Sequence, residues 1–245
     1  MNELVAEYFG TLVLILMGVG VTANNGLKKT YASGSGWVLV SFGWGLGVFL
    51  GVIIAGPYSG AHINPAVSVG LAFAGKFPWH KVPGYILAQL LGAMSGALLA
   101  WWHFIDHYKA TKEPGSILGT FCTGPAIKHN LHNLVSEVIG TFVLIFVVLF
   151  ISGAKVEGPS VEQVTVGLGS IGALPVALLV VAIGLSLGGT TGYAINPARD
   201  LGPRLVHALV PIPSKGDSNW SYAWIPVIGP LIGAFLAAGI YLIVL

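Results

Sequence analysis

The chain has 245 residues, of which 55% are hydrophobic and only 8% are charged, with a formal net charge of +2. A soluble domain usually carries about 25% charged residues, so this chain has too few to cover a surface that faces water. The composition therefore predicts an integral membrane protein, and it excludes a nucleic-acid-binding protein, a secreted disulfide-rich domain and a disordered chain. The 35 glycines favour closely packed membrane helices.

Six apolar stretches are long enough to cross a bilayer as helices, which takes about 20 residues each. They run approximately over 4–23, 37–56, 82–104, 132–152, 167–188 and 222–244. The first is interpreted as a retained span, because Glu3 and Glu7 stand where a signal peptide carries basic residues. Two further apolar stretches, 64–74 and 196–210, are too short to cross and are predicted to be re-entrant half-helices.

The two halves of the chain repeat one pattern in the same order. Residues 6–13 align with 136–143, Asn64-Pro65-Ala66 aligns with Asn196-Pro197-Ala198, and 90–93 align with 231–234. Each half holds three spans, so the second copy enters the membrane from the opposite face. The sequence thus predicts one membrane domain over 1–245, made of inverted repeats over about 1–108 and 130–245, with its functional site near the membrane midplane between them.

Each Asn-Pro-Ala motif has the residues of a helix start. Asn is a preferred N-cap, and Pro suits the first helical position. As caps, Asn64 and Asn196 use their side-chain oxygens on backbone N–H groups, which leaves their NH₂ groups as donors at the midplane. Two such donors and two positive helix ends favour a neutral solute that carries hydroxyl groups, and they repel cations and protons.

The residues before each cap are predicted to be extended, so they cannot hydrogen-bond within a helix. Such backbone is tolerated at membrane depth only where it lines a wet cavity or is buried in protein. Its carbonyl groups are therefore expected to form a row of acceptors along a pore, from Gly60, Ala61, His62 and Ile63 in the first half and Gly192, Tyr193, Ala194 and Ile195 in the second. For the His62 side chain, a role in holding the loop is favoured over contact with a permeant.

A few charged residues lie at membrane depth, where a charge is costly and faces a cavity or a partner. Arg199 has the uncharged Val67 as its counterpart in the first half, so we expect it to line the pore. Asp200 falls in the first turn of its half-helix, where a carboxylate is favoured. The matched acids Glu7 and Glu137 are predicted to accept hydrogen bonds from the two loops, with a proton relay as the alternative.

The chain contains little that indicates an enzyme. Residues 184–188 match a nucleophile-elbow pattern, but they lie inside an apolar span. The single cysteine, Cys122, is interpreted as an inert thiol, because no motif that would activate it surrounds it. We therefore predict no catalytic residue, no metal and no cofactor.

With the motif Ser59-Gly60-Ala61-His62-Ile63-Asn64-Pro65-Ala66-Val67 and the motif Asn196-Pro197-Ala198-Arg199-Asp200, the sequence resembles the aquaporin family over its whole length. It is most similar to the aquaglyceroporin, or glycerol-facilitator, branch. The resemblance implies an all-α fold of six membrane helices and two half-helices, a homotetramer with one pore per subunit, and cytoplasmic termini. The lysine count disagrees with that orientation, because the loops opposite the N-terminus carry Lys28, Lys29, Lys109, Lys112, Lys128 and Lys215.

The resemblance also implies a narrowest point formed by Trp44, Gly184, Tyr193 and Arg199. Two aromatic faces would give an apolar corner for the carbon backbone of a polyol, Arg199 would donate to its hydroxyl groups, and Gly184 would leave the necessary width. Water-selective members typically carry a His where Gly184 stands. Tyr193 departs from the Phe that is commoner in bacterial glycerol facilitators, and its hydroxyl would either add a polar contact or narrow the pore.

These residues predict a passive channel in the cell membrane that conducts glycerol, water and other small neutral solutes and excludes ions and protons. A water-selective channel is the alternative within the class. A proton-coupled transporter that uses Glu7 or Glu137 is the alternative from another class. The order of preference among glycerol, dihydroxyacetone, urea, hydrogen peroxide and undissociated lactic acid stays open.

Overall fold

The computed structural model describes residues 1–158 and 161–245, and it describes the side chains outside 155–166. In these residues the chain forms ten α-helices and two β-strands: α1 (Glu3–Gly26), α2 (Trp37–Ser59), α3 (Pro65–Phe73), α4 (Val82–His103), α5 (Ile105–Ala110), α6 (Pro114–Phe121), α7 (Asn130–Phe150), β1 (Ala154–Gly158), β2 (Val161–Val166), α8 (Leu174–Leu187), α9 (Pro197–Leu209) and α10 (Ile225–Val244). Two 3₁₀ turns, Trp79–Lys81 and Gly169–Ala173, precede α4 and α8.

Six helical segments of the described chain are long and apolar enough to cross a membrane. They are Glu3–Gly26, Trp37–Ser59, Trp79–His103, Asn130–Phe150, Gly169–Leu187 and Ile225–Val244. The six predicted spans are therefore confirmed, and their ends differ from the prediction by a few residues. The fifth span differs most in character, because its first turn is a 3₁₀ helix and α8 itself has only 14 residues.

The two predicted half-helices are also present. Helix α3 begins at Pro65 and α9 at Pro197, each directly after its asparagine cap. The cap geometry explains the starting points, because Asn64 and Asn196 have extended backbones and their side chains accept hydrogen bonds from the first turn. With 9 and 13 residues, both helices are too short to cross a bilayer.

The helices pack against each other both within and between the two halves of the chain. Helix α1 packs against α2 and α4, α7 packs against α10, and α2 packs against α8. Helix α3 of the first half packs against α10 of the second, and α9 of the second half packs against α4 of the first. Glycine permits the closest approaches: a Cβ atom on Gly51 of α2 would lie 2.7 Å from the Gly10 carbonyl oxygen of α1.

Two regions differ from the predicted all-α pattern of six spans and two half-helices. Strands β1 and β2 form an antiparallel hairpin between α7 and α8, with Ala154 opposite Val166. Its second strand reads Val-Glu-Gln-Val-Thr-Val, and the β-branched valines and threonine favour a strand over a helix. The connection between the third and fourth spans contains the short helices α5 and α6, which begin after the chain leaves the third span.

Candidate pore

The loops that lead into the half-helices have a strained backbone of the same shape. Ala61 and Ile63 have φ values of +53° and +43°, and Tyr193 and Ile195 have φ values of +37° and +44°. Residues with a branched side chain rarely adopt positive φ, so other contacts must hold this conformation. Alternation of the sign of φ turns successive N–H groups toward one side of the chain, where they can bind an anion.

Two buried carboxylates occupy those anion positions. Glu7 accepts from the backbone N–H groups of His62 at 2.9 Å and of Ile63 at 2.6 Å. Glu137 accepts from those of Ala194 and Ile195, both at 3.0 Å. Each carboxylate therefore satisfies two amides that have no partner in a helix.

Neighbouring side chains complete each carboxylate site. The Ser59 hydroxyl donates to Glu7 at 2.6 Å, and the Thr191 hydroxyl donates to Glu137 at 2.7 Å. The amide of Gln89 donates to Glu7 at 2.8 Å. Sequence reasoning missed all three residues. Ser59 and Thr191 had a readable signal, because both stand directly before the loop glycine that precedes the strained residues.

The two asparagine caps are tied to each other's loops. Asn64 accepts from the backbone N–H of Ala66 at 2.8 Å, and Asn196 accepts from that of Ala198 at 3.0 Å. The Asn64 amide donates to the Ile195 carbonyl at 2.8 Å, and the Asn196 amide donates to the Ile63 carbonyl at 2.9 Å. This geometry differs from the expected free NH₂ groups, because one N–H of each amide is already engaged.

The crossed hydrogen bonds also change the expected row of acceptors. The Ile63 and Ile195 carbonyl groups each accept from an asparagine of the other half, so each keeps only part of its capacity for another donor. One cavity is lined by the rest of the first loop and by Tyr193 and Ala194 of the second. Gly192 lines a second cavity.

Two cavities meet between the half-helices. The first has a volume of about 240 Å³ and runs from the two asparagines toward the end of α2, with apolar walls that include Val48, Val52 and Leu144. The second has a volume of about 270 Å³ and opens on the opposite side, beside Trp37 and the segment 119–126. Three residues line both cavities, and they are Trp44, Tyr193 and Arg199. We call this point the constriction.

The guanidinium group of Arg199 lies over the indole of Trp44. Its Cζ atom is 3.6 Å from the ring centroid, a cation–π geometry. The side chain also donates to the Phe121 carbonyl at 3.5 Å. The indole face that was expected to be free for a permeant is therefore shared with the cation.

Gly184 lies beside the constriction but lines neither cavity. A Cβ atom on Gly184 would lie 2.9 Å from both the Cζ atom and the hydroxyl of Tyr193, so the tyrosine fills that space. The hydroxyl of Tyr193 is itself buried and faces away from both cavities. The structure thus differs from the expected open width at Gly184, because the large aromatic side chain packs onto the small residue.

Asp200 connects α9 to the segment that borders the second cavity. Its carboxylate accepts from the backbone N–H of Thr123 at 2.8 Å and from the Thr123 hydroxyl at 2.6 Å. Arg204, one turn later on α9, donates to the same carboxylate at 2.8 and 3.0 Å, and both side chains are fully buried. Sequence reasoning missed Arg204, although an acid and a base at i and i+4 are a readable pair.

His62 lines the first cavity, and neighbouring side chains hold its ring in place. Its Nδ1 atom lies 2.9 Å from the Ser68 hydroxyl, and its ring packs against Phe77 and Tyr85 with centroids 4.4 and 4.9 Å away. Cys122 is a buried free thiol that borders the second cavity. Among the described residues, no group of three or more His, Cys, Asp or Glu could hold a metal ion.

A bundle of six spans, with two half-helices meeting cap to cap and a constriction between two cavities, defines a membrane channel with the aquaporin architecture. The family model described as Major intrinsic protein matches residues 1–241, and the chain belongs to this family. The protein is a multi-pass membrane protein and not an enzyme.

Individual relatives are similar over nearly their whole length. A glycerol uptake facilitator protein from Streptococcus pneumoniae is 51% identical over 241 residues, which cover 98% of both chains. One from Bacillus subtilis is 52% identical over 235 residues, which cover 96% of this chain and 82% of the relative. The X-ray structure of the aquaglyceroporin from Plasmodium falciparum superposes with a TM-score of 0.80 at 32% identity, covering 98% of this chain and 94% of the other. The resemblance to the aquaglyceroporin branch is therefore confirmed.

Proposed function

We propose that this protein is a passive channel that conducts glycerol, water and other small neutral solutes in single file down their gradients. The observation that carries the proposal is the constriction, where Trp44, Tyr193 and Arg199 line both cavities and so lie between them. The names of the relatives from Streptococcus pneumoniae and Bacillus subtilis support glycerol as the solute.

The residues around the constriction divide the work between two tasks. Trp44, Tyr193, Arg199 and, behind the tyrosine, Gly184 select the permeant by shape and by hydrogen bonding. The remaining N–H groups of Asn64 and Asn196, with the loop carbonyls, orient it at the midplane. The positive ends of α3 and α9 and the charge of Arg199 repel cations, so cations and protons are excluded.

A proton-coupled transporter would need Glu7 or Glu137 to exchange protons with the pore. Both carboxylates accept hydrogen bonds from two backbone amides, so their oxygens are already engaged in holding the loops, which favours a supporting role. Neither acid lines either cavity.

Stopped-flow measurements on proteoliposomes test the proposal. We expect glycerol and water fluxes above those of empty liposomes, with no change when a pH gradient is imposed or collapsed. Water flux without glycerol flux would instead indicate a water-selective channel. Glycerol flux that disappears when the pH gradient is collapsed would indicate coupled transport and overturn the passive mechanism.

The assembly and the internal symmetry belong to the same proposal. We infer that the protein is a homotetramer with one pore per subunit, that residues 1–245 form one domain of two inverted repeats, and that both termini are cytoplasmic. The equivalent positions of Glu7 and Glu137, and of the two asparagine caps, support the repeats. Native mass spectrometry of the detergent-solubilised protein tests the tetramer, and reporter fusions at each terminus test the orientation.

A further inference from the structure

The side chain of Tyr193 packs into a depression formed by Gly184, Gly188 and Trp37, which we call the seat on α8. Gly184 and Gly188, one turn apart, both lie against its ring and leave room for it. Trp37 of α2 closes the seat, with its ring edge-on to the tyrosine at a centroid distance of 5.8 Å. The indole N–H of Trp37 donates to the Gly184 carbonyl at 2.7 Å, which ties α2 to α8 at this level.

The polar side chain of Ser41 lies near the phenol hydroxyl of Tyr193 at the bottom of this seat. The Ser41 and Tyr193 oxygens lie 3.0 and 2.9 Å from the same point, the Cβ position of Gly184. The two hydroxyls are therefore neighbours, but they do not form a hydrogen bond with each other. Both are buried, and neither has another partner in the described part of the chain.

A buried hydroxyl without a hydrogen bond is costly, so two of them side by side call for an explanation. A change in the χ1 angle of Ser41 can pair them, because it moves the serine oxygen and a serine hydroxyl can both donate and accept. Pairing keeps the phenol oxygen turned toward α2 and α8. Only the ring of Tyr193 then borders the path, and the constriction keeps its apolar side.

We propose that Ser41 is a positioning residue for selectivity: its hydroxyl anchors the hydroxyl of Tyr193 and holds the ring in the seat on α8. Ser41 lines neither cavity, so it acts on the permeant only through Tyr193. The inference rests on the proposed channel function and names a residue outside the four predicted at the narrowest point. The sequence carries a signal for it, since Trp37, Ser41 and Trp44 recur at helical spacing on one face of α2.

Loss of the anchor should move the ring. Without Ser41, the Tyr193 hydroxyl has no partner in the seat and gains one only by turning toward the water of the path. The ring would then narrow the constriction and add a polar group to it. Glycerol, which is wider than water, should be slowed more than water.

The test measures the ratio of glycerol to water permeability in proteoliposomes for Ser41→Ala, in the original chain and in a Tyr193→Phe background. We expect Ser41→Ala to lower the ratio about fivefold or more when Tyr193 is present. In the Tyr193→Phe background the same substitution should change the ratio by less than about twofold, because no phenol hydroxyl is left to anchor. A purely structural role of Ser41 would give equal effects in both backgrounds.

Thr141→Val is a matched control, since Thr141 also carries a buried hydroxyl without a partner in the described chain, but on α7 away from the constriction. Its ratio should stay at that of the original chain. If Ser41→Ala fails to assemble, Ser41→Cys keeps the size of the side chain and weakens its hydrogen bond, and it should lower the ratio in the same way. An unchanged ratio with Tyr193 present, or equal changes in both backgrounds, would overturn the inference. An original chain that conducts neither solute would instead overturn the proposed function.

Discussion

The segments 60–73 and 192–209 are built alike up to the Asn-Pro-Ala motif, and they diverge directly after it. Both loops have the same alternation of φ, both are bound by a buried glutamate, and both asparagines donate to the opposite loop. In the two residues after Asn-Pro-Ala, the first segment has Val67 and Ser68 where the second has Arg199 and Asp200. The shared part supplies the hydrogen bonds that irregular backbone needs inside a membrane. The divergent part carries charge in the second segment only.

The charged pair has a different environment from its uncharged counterpart. Ser68 contacts His62 and Gln89, which belong to the first half. Asp200 binds Thr123 and Arg204 and so reaches the segment that borders the second cavity. The difference indicates that the first segment completes the scaffold, whereas the second also arranges the constriction on the side of the second cavity. Variants at equivalent positions can separate these tasks.

The largest effect is expected from the pair Asp200→Ala and Ser68→Ala. Asp200→Ala leaves the fully buried Arg204 without its counter-charge, so we expect a loss of about 3–5 kcal/mol of stability. Ser68→Ala removes neutral hydrogen bonds and should cost about 1 kcal/mol. Thermal unfolding in detergent measures both losses. Equal losses would contradict the assignment of the buried charge pair to the second segment.

The next effect concerns the shared part, through Glu137→Ala and Glu7→Ala. Each substitution leaves two backbone amides in a strained loop without an acceptor, at a cost of about 1–3 kcal/mol for each amide. Similar losses in the two variants, measured by the same unfolding assay, are expected if the loops are equivalent. Exposed Glu113→Ala is the control and should leave the unfolding temperature unchanged. A stable Glu137→Ala variant would show that the loop does not depend on the carboxylate.

We expect Arg199→Ala to lower stability less than the two glutamate variants do, and to change transport. The substitution removes the cation over Trp44 and a charged donor that is worth about 1.5–3 kcal/mol to a bound solute. We expect discrimination among solutes to loosen, with about a tenfold change in the flux of urea relative to glycerol. Val67→Ala, at the equivalent position of the first segment, should leave that ratio unchanged. Unchanged discrimination in the Arg199 variant would remove Arg199 from the constriction's function.

The smallest effect is expected for Gly184→Ala. The new methyl group would lie 2.9 Å from the Tyr193 ring and hydroxyl, and relief of such overpacking costs about 1–3 kcal/mol. The ring should move toward the path and lower the ratio of glycerol to water flux severalfold. Gly239→Ala on α10 is the matched control, because nothing lies within 4 Å of a Cβ atom there and Gly239 lines neither cavity. If both variants keep the original ratio, the seat on α8 does not influence selectivity.

Much of the fold was predictable from local sequence. The six spans follow from the length of the apolar runs, and the half-helix starts follow from Asn-Pro, because both signals act over a few residues. The hairpin of β1 and β2 and the helices α5 and α6 were not predicted, since short connecting elements have weak periodicity. Glu7 and Glu137 were recognisable as a matched pair, and the structure has both bonded to loop amides. Their supporting role stays a prediction for the variants above.

The sequence by itself determined that this protein crosses a membrane six times, where its two half-helices begin, and which few charged residues lie at membrane depth. The tertiary structure decided how those residues meet: the asparagine amides cross to the opposite loops, Arg199 covers Trp44, and Tyr193 fills the space at Gly184 and reaches Ser41. Apart from the contact of Tyr193 with Gly184, these contacts join helices or loops far apart in the chain. The side-chain rotamers in these contacts depend on how the spans pack. Close packing against a glycine depends on the shape of the neighbouring surface, which no local sequence pattern contains.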